Sequence, residues 1–144
     1  MKLTADRVSL VKMLGFVSSG IAARTTNPVL SMVHIAAGDG LVRLTCTDLG
    51  MAVIEDVPAD VFHVGAVCVD PKRLQTGLQN MLSGDVTLSL EGDSLLIKGD
   101  RREKIKLPTG DPNQFPLPAN VDHGQALRFQ AREFHQVFKR GLTS

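Results

Sequence analysis

The sequence contains no tryptophan and no tyrosine, and phenylalanine occurs six times in 144 residues. A core must therefore be built mostly from Val, Leu, Ile, Met and Ala, and the surface offers few rings on which unpaired bases could stack, which disfavours a single-strand binder. Cysteine occurs twice, as Cys46 and Cys68. Both lie inside apolar, strand-like runs without CxxC spacing, so they read as buried free thiols of a reducing compartment rather than a disulfide framework. No charge of one sign dominates, since 16 basic and 15 acidic residues leave a formal net charge of +1. That excludes a histone-like polycation while leaving a local basic face open. No apolar run approaches the roughly 18 residues of a membrane span, and the opening MKLTADRV has no apolar signal core. The expectation is a soluble, cytoplasmic protein with no membrane partner.

Apolar residues make up 43% of the chain and charged residues 22%, the profile of a globular domain. The stretch MKLT is strand-like, and ADRVSLVKMLGFVSSG follows with Leu10, Met13, Leu14 and Val17 on one helical stripe. Three β-like runs come next: PVLSMVHIAAG, LVRLTCTD and MAVIEDVPA, the first two separated by the turn signal GDG. In LVRLTCTD, Val42, Leu44 and Cys46 alternate with Arg43, Thr45 and Thr47, as in a half-buried strand. Pro28 holds Asn27 extended and is expected to launch the first of these strands.

The pattern then begins again. GAVCV is a strand, and DPKRLQTGLQNMLSG is a helix with proline at its start and glycine at its end. DVTLSLEGD, SLLIKGD and REKIKLP are three more short strands, followed by the loop PTGDPNQFPLPANVDHG. A third opening follows, LRFQ and then AREFHQVFKRG with helical spacing, before the chain stops at Ser144. The unit is strand–helix–three strands with a period of roughly 60–65 residues. It occurs over about 1–62 and 63–110, and the opening strand–helix of a further repeat lies within 121–144. In the three helices Leu10 and Leu14 correspond to Leu74 and Leu78 and to Phe134 and Phe138. Two such units make an α+β domain over 1–120, both helices packed on one face of antiparallel sheet.

At about 100° per residue, the solvent side of each helix follows from its apolar stripe. Lys12 lies opposite Leu10 and Leu14, and Lys72 lies opposite Leu74 and Leu78 with Arg73 on the flank. Arg132 and Lys139 lie opposite Phe134 and Phe138, with Arg140 beside them. Solvent faces of helices commonly carry charge, but equivalent helices with cations and little acid also suit sequence-independent contact with a phosphate backbone.

Several stretches carry a family resemblance: MKLTADRVSLVKMLGFVSS, RTTNPVLSMVHIAA, LVRLTCTDLGMAVIEDVPA, GAVCVDPKRLQTGL and IKLPTGDPNQFP. In this order, over nearly the whole chain, they resemble the N-terminal domain of the bacterial sliding clamp, the β subunit of DNA polymerase III. The resemblance implies the DNA-clamp fold and a place in a ring. In that ring, domains of this doubled design close head to tail around duplex DNA, helices inside and sheets on the rim. It implies no active site and no cofactor: the protein is an accessory processivity factor and not itself an enzyme.

By the resemblance, Arg24, in the loop after the first helix, is a phosphate contact; capping the end of that helix is the alternative. Lys12, Lys72, Arg73, Arg132, Lys139 and Arg140 face DNA in the same picture. The strand around Ile105 and Leu107, with Arg73 and Leu74 nearby, is where the domain meets another clamp subunit. The other reading of that strand is plain alternation, Ile105 and Leu107 on the core side, and an uncovered edge could then self-pair. The resemblance covers about one clamp domain and the start of the next, so polymerase and clamp-loader contacts fall to domains outside it. Gln79 stands where many relatives carry a basic residue, and Asp100 and Glu103 add acid to a usually basic turn, so DNA affinity is expected to be weak.

A second reading is an interaction module that pairs with a full clamp's edge and does not itself encircle DNA. An enzyme has thin support. His34 lies in an apolar strand, His63, His123 and His135 are scattered, and no histidine, cysteine and carboxylate spacing suggests a metal or a triad. GDG at 38–40 reads as a hairpin turn and not a phosphate loop.

Overall fold

The computed structural model describes residues 1–18, 28–47, 51–117 and the backbone of 136–139. The first repeat comprises strand β1 (Lys2–Asp6), helix α1 (Arg7–Val17) and strands β2 (Val33–Gly38), β3 (Leu41–Thr47) and β4 (Met51–His63). The second comprises β5 (Gly65–Val69), α2 (Pro71–Asn80), β6 (Asp85–Glu91), β7 (Ser94–Gly99) and β8 (Lys104–Pro108). A last strand, β9, covers Gln136–Lys139.

Local chemistry sets the element ends. The Asp6 carboxylate accepts from the Ser9 amide at 2.9 Å and opens α1, and Asp70 does the same for the Lys72 amide at 2.9 Å, with Pro71 in the first turn of α2. The Ser18 hydroxyl donates to the Leu14 carbonyl at 2.6 Å where α1 ends. Asp39 and Gly40, with φ of 50° and 77°, form the two-residue β2–β3 turn. Left-handed backbone at both central positions is what a tight hairpin requires, and Asp-Gly supplies it cheaply.

All pairings are antiparallel, and the strand order is β5-β2-β3-β4-β1-β6-β7-β8. The first strands are therefore exchanged. β5 of the second repeat pairs with β2 of the first, and β1 of the first pairs with β6 of the second. The 13-residue β4 joins the halves, pairing β3 over 52–58 and β1 over 59–63. On the opposite side the link, among the described residues, is one bridge, where the Gly110 amide donates to the Cys68 carbonyl at 2.8 Å. Gly110 allows this because a side chain there would run into Met32.

Both helices lie on one face. Leu10, Leu14 and Val17 of α1 and Leu74 and Leu78 of α2 share one core with Leu3, Ile35, Leu44 and Leu88 of the sheet. The other face of β2 and β3 is covered as well, so both strands are buried throughout. There Phe115 packs with Val29 and Cys68, 5.3 Å from the His34 ring. On that same side Arg43 donates to Asp56, its partner in the β3–β4 register, through two bonds of 2.8 and 3.0 Å. Burial pushes both thiols, Cys46 and Cys68, up to about 12, so they are neutral core groups.

Two local expectations are corrected. Pro28–Ser31 forms a 3-10 turn, and the strand starts only at Val33. The locked φ of proline suits the first turn of such a helix, and the Met32 amide closes it on the Val29 carbonyl at 3.2 Å while Val29 and Leu30 are buried. Residues 136–139, expected within a third helix, pair as β9 with Met51–Ile54. An unfilled sheet edge meets a Val-Phe pair that favours extended backbone, and that outweighs the helical spacing. The rest of the expected third opening, and Phe134, lie outside the described residues.

One clasp ties the repeats together. Arg7 donates to the Leu78 carbonyl at 3.0 Å and to the Ser83 carbonyl at 2.6 Å, satisfying groups left over where α2 ends. From the other side Glu103 accepts from the Leu82 amide at 2.7 Å, the Ser83 amide at 3.0 Å and the Ser83 hydroxyl. Gly99 leaves room for this, since a side chain there would strike Ser83 and Glu103.

Leu78 is wholly buried where both helices meet the sheet. Leu78→Ala is expected to cost about 2–5 kcal/mol, measured by urea unfolding. The Ser83 hydroxyl, the Leu82 amide and Arg101 hold the Glu103 carboxyl below its ordinary value. A lowered folded-state pKa stabilises above the unfolded value of about 4.3 and is lost as pH falls through the folded value. The stability difference between wild type and Glu103→Gln should therefore be present at pH 7 and shrink steadily below about pH 4.

Candidate nucleic-acid interface

The two helices differ from the rest of the chain in charge. Neither α1 (RVSLVKMLGFV) nor α2 (PKRLQTGLQN) contains an acidic residue, although the whole chain is nearly neutral. Lys12 is exposed on α1, as are Lys72 and Arg73 on α2. The helices touch side by side, with the Gln75 amide donating to the Val11 carbonyl at 3.4 Å. Because both helices pack on one face of the sheet, the faces that carry Lys12 and Lys72 look away from the same core. Arg73 lies 3.9 Å from Asp70 with both side chains largely in water, a contact too screened to neutralise it. Thr76, Gln79 and Asn80 are the other exposed positions of α2, so the helices themselves expose cations and polar groups, with the capping carboxylates Asp6 and Asp70 at their N-terminal ends.

The α1 surface is not wholly polar. Val8 is 60% and Phe16 51% exposed on the same side as Lys12. Arg24, Arg132 and Arg140 lie outside the described residues, as does the side chain of Lys139 in β9. Of the expected cations, Lys12, Lys72 and Arg73 are thus the ones described, each exposed on one of two helices that touch.

The expected edge is β8, paired with β7 alone among the named strands. Its burial alternates: Lys104, Lys106 and Pro108 are exposed, Leu107 is 8% exposed, and Ile105 is half-buried. Ile105 rests against α2 at Gly77, where an added Cβ would come within 2.8 Å of its Cδ1 atom. Leu74 is 2% exposed and belongs to the core. Leu74 and Leu107 therefore support the edge from beneath, and its surface consists of backbone, lysines and Arg73.

Sequence reading missed a second basic group. Lys98 and Lys104 are directly opposite in the β7–β8 register, and Lys106, Arg101 and Arg102 are exposed nearby. The alternation in REKIKL was the available signal. Glu103, expected as a free acid in this turn, is turned into the Ser83 clasp, which leaves Asp100 as the exposed acid there. Among the described residues no group of histidines, cysteines and carboxylates could hold a metal ion, and no helix is long and apolar enough to cross a membrane.

Residues 1–121 match the family model described as DNA polymerase III beta subunit, N-terminal domain. The chain is 32% identical over 120 residues to a beta sliding clamp of Caulobacter vibrioides, covering 81% of this chain and 32% of that protein. It is 31% identical over 129 residues to a beta sliding clamp of Vibrio harveyi, covering 88% of this chain and 86% of that sequence. A solved structure of Caulobacter crescentus pol III beta superposes with a TM-score of 0.76 at 31% identity, over 83% of this chain and 32% of that one. The chain spans about a third of the length of the Caulobacter relative.

If the sheet edge depends on the seat of Ile105, enlarging Gly77 should loosen it. Gly77→Val is expected to speed amide exchange of Lys104–Leu107 while leaving β2 and β3 protected, as read by hydrogen exchange.

Proposed function

The chain belongs to the DNA polymerase III beta-subunit family, matching its N-terminal domain, and from that premise we propose that it is a sliding-clamp domain that contacts duplex DNA phosphates without sequence specificity as part of a ring. The observation that carries this reading is the segregation of charge. Two acid-free helices, packed side by side, present Lys12, Lys72 and Arg73 on one surface of a nearly neutral chain. Point charges spread over a flat helical surface meet phosphates by Coulomb attraction and counterion release, without entering a groove or reading base edges. The role is mechanical, tethering and sliding, and asks for no bond chemistry. The family resemblance alone assigns Arg24, Arg132 and Arg140 to the same contact, while Lys139 stands in strand β9 rather than on a third helix and is left out of it.

The ring also needs an edge, and β8 is the one we assign to meeting another clamp subunit. An added strand there would take its backbone hydrogen bonds from β8, with Arg73 and Ile105 beside it. Its outward side chains would lie next to Lys104 and Lys106, so an acidic partner edge is favoured and a second β8 is disfavoured. This also supports the second reading, a module that pairs with the edge of an intact clamp without encircling DNA. Mixing the chain with an intact relative and measuring sedimentation separates the two by whether a mixed complex forms.

Binding to duplex DNA across a salt series tests the phosphate surface. Wild type should bind weakly, equally on linear and circular duplexes, with affinity falling steeply as salt rises. Lys12→Glu with Lys72→Glu should weaken binding on every sequence alike and flatten the slope of log K against log salt by about 2. An unchanged slope would remove these helices from the interface.

A further inference from the structure

The exchange of first strands makes the two meanders, β2-β3-β4 and β6-β7-β8, equivalent halves of one sheet. The first half of β4 and the whole of β8 then occupy equivalent outer edges, and the two edges are handled differently. β8 reads KIKLP, with Lys104, Lys106 and Pro108 exposed, the residues that blunt an edge against stray pairing. The matching strip of β4, Met51–Ile54, reads MAVI and carries no charge. β3 takes one side of that strip over Ala52–Ile54, and β9 covers the other, with Met51 opposite Lys139, Ala52 opposite Phe138, Val53 opposite Val137 and Ile54 opposite Gln136. The family model, which describes the N-terminal domain alone, ends at residue 121, before β9.

We propose that Gln136–Lys139 is an edge guard, and that the strip it covers on β4 is a self-association surface that pairs with the same strip of a second copy when the guard is withdrawn. The occupant follows from charge and symmetry. Two copies of an uncharged strip can pair antiparallel about a two-fold axis with no like charges opposed. Two copies of β8 would set Lys104 and Lys106 against one another, at a cost to every register. An uncharged apolar edge without a guard is also the kind that finds another edge. The guard and the second copy compete for the same backbone groups of Met51–Ile54, so association should rise as the guard weakens. β8 is left as it was, so this control is independent of the ring edge.

The test uses the full chain. Val137→Pro sets a residue that fits poorly in a paired strand in the middle of β9. By sedimentation, wild type should be monomeric in dilute solution and the Val137→Pro chain a concentration-dependent dimer. In hydrogen exchange, Met51–Ile54 of the variant should exchange faster than wild type when dilute and regain protection as the dimer forms. Ala52→Cys with Phe138→Cys, opposite in register, should give a disulfide-stapled chain that stays monomeric at every concentration. The native Cys46 and Cys68, buried and neutral, stay out of that reaction. The proposal is overturned if Val137→Pro remains monomeric with unchanged exchange at 51–54, if its dimer leaves 51–54 unprotected, or if the stapled chain dimerises.

Discussion

Everything in this fold depends on the exchange of first strands between the two repeats. β1 completes the sheet of the second repeat and β5 that of the first, so neither unit can bury its apolar face without the other. Each helix follows its exchanged strand directly, and both are delivered to the same side of one continuous sheet. The shared core of Leu10, Leu14, Leu74 and Leu78 is the result, and the side-by-side cationic surface is its outer aspect. A charge pattern that looks ordinary on one helix gains meaning only through this pairing. The clasp of Arg7 and Glu103 around the end of α2 adds local insurance, since a backbone end that the sheet does not reach is satisfied from both repeats.

The two faces of the sheet serve different ends. On one side the helices supply the core and the polar surface. On the other, β2 and β3 are sealed, and the buried pair Arg43–Asp56 sits where solvent would otherwise reach the strands. Such a pair adds little net stability, because desolvation offsets much of its Coulomb attraction, but removing one partner strands the other. A one-residue slip of β4 against β3 would turn Asp56 to the helix side and leave Arg43 unpaired, so the pair favours the observed register.

Much of this was legible in the sequence, for a physical reason: local periodicity is local physics. The stripe Leu10–Leu14–Val17, the Asp-Gly hairpin, the proline-opened α2 and the alternating β3 all follow from contacts within a few residues. The same spacing placed Lys12, Lys72 and Arg73 on solvent faces. What could not be read there was long-range. Pairing of β1 with β6, the reach of Arg7 to Leu78 and the turning-in of Glu103 join residues 20 or more positions apart, with no periodic trace. The 3-10 turn at Pro28 and the strand at Gln136 failed differently. There a plausible local signal lost to burial of Val29 and Leu30 in the first case and to an open sheet edge in the second.

The central claim is that duplex DNA meets the helix surface and not the basic group on the sheet. The most direct measurement is a residue-resolved NMR titration of the chain with a short duplex at low salt. Lys12, Lys72 and Arg73 and their neighbours on α1 and α2 should shift together and return as salt is added, while Lys98, Lys104 and Lys106 stay in place. Shifts confined to those β7 and β8 lysines, with both helices silent, would contradict it.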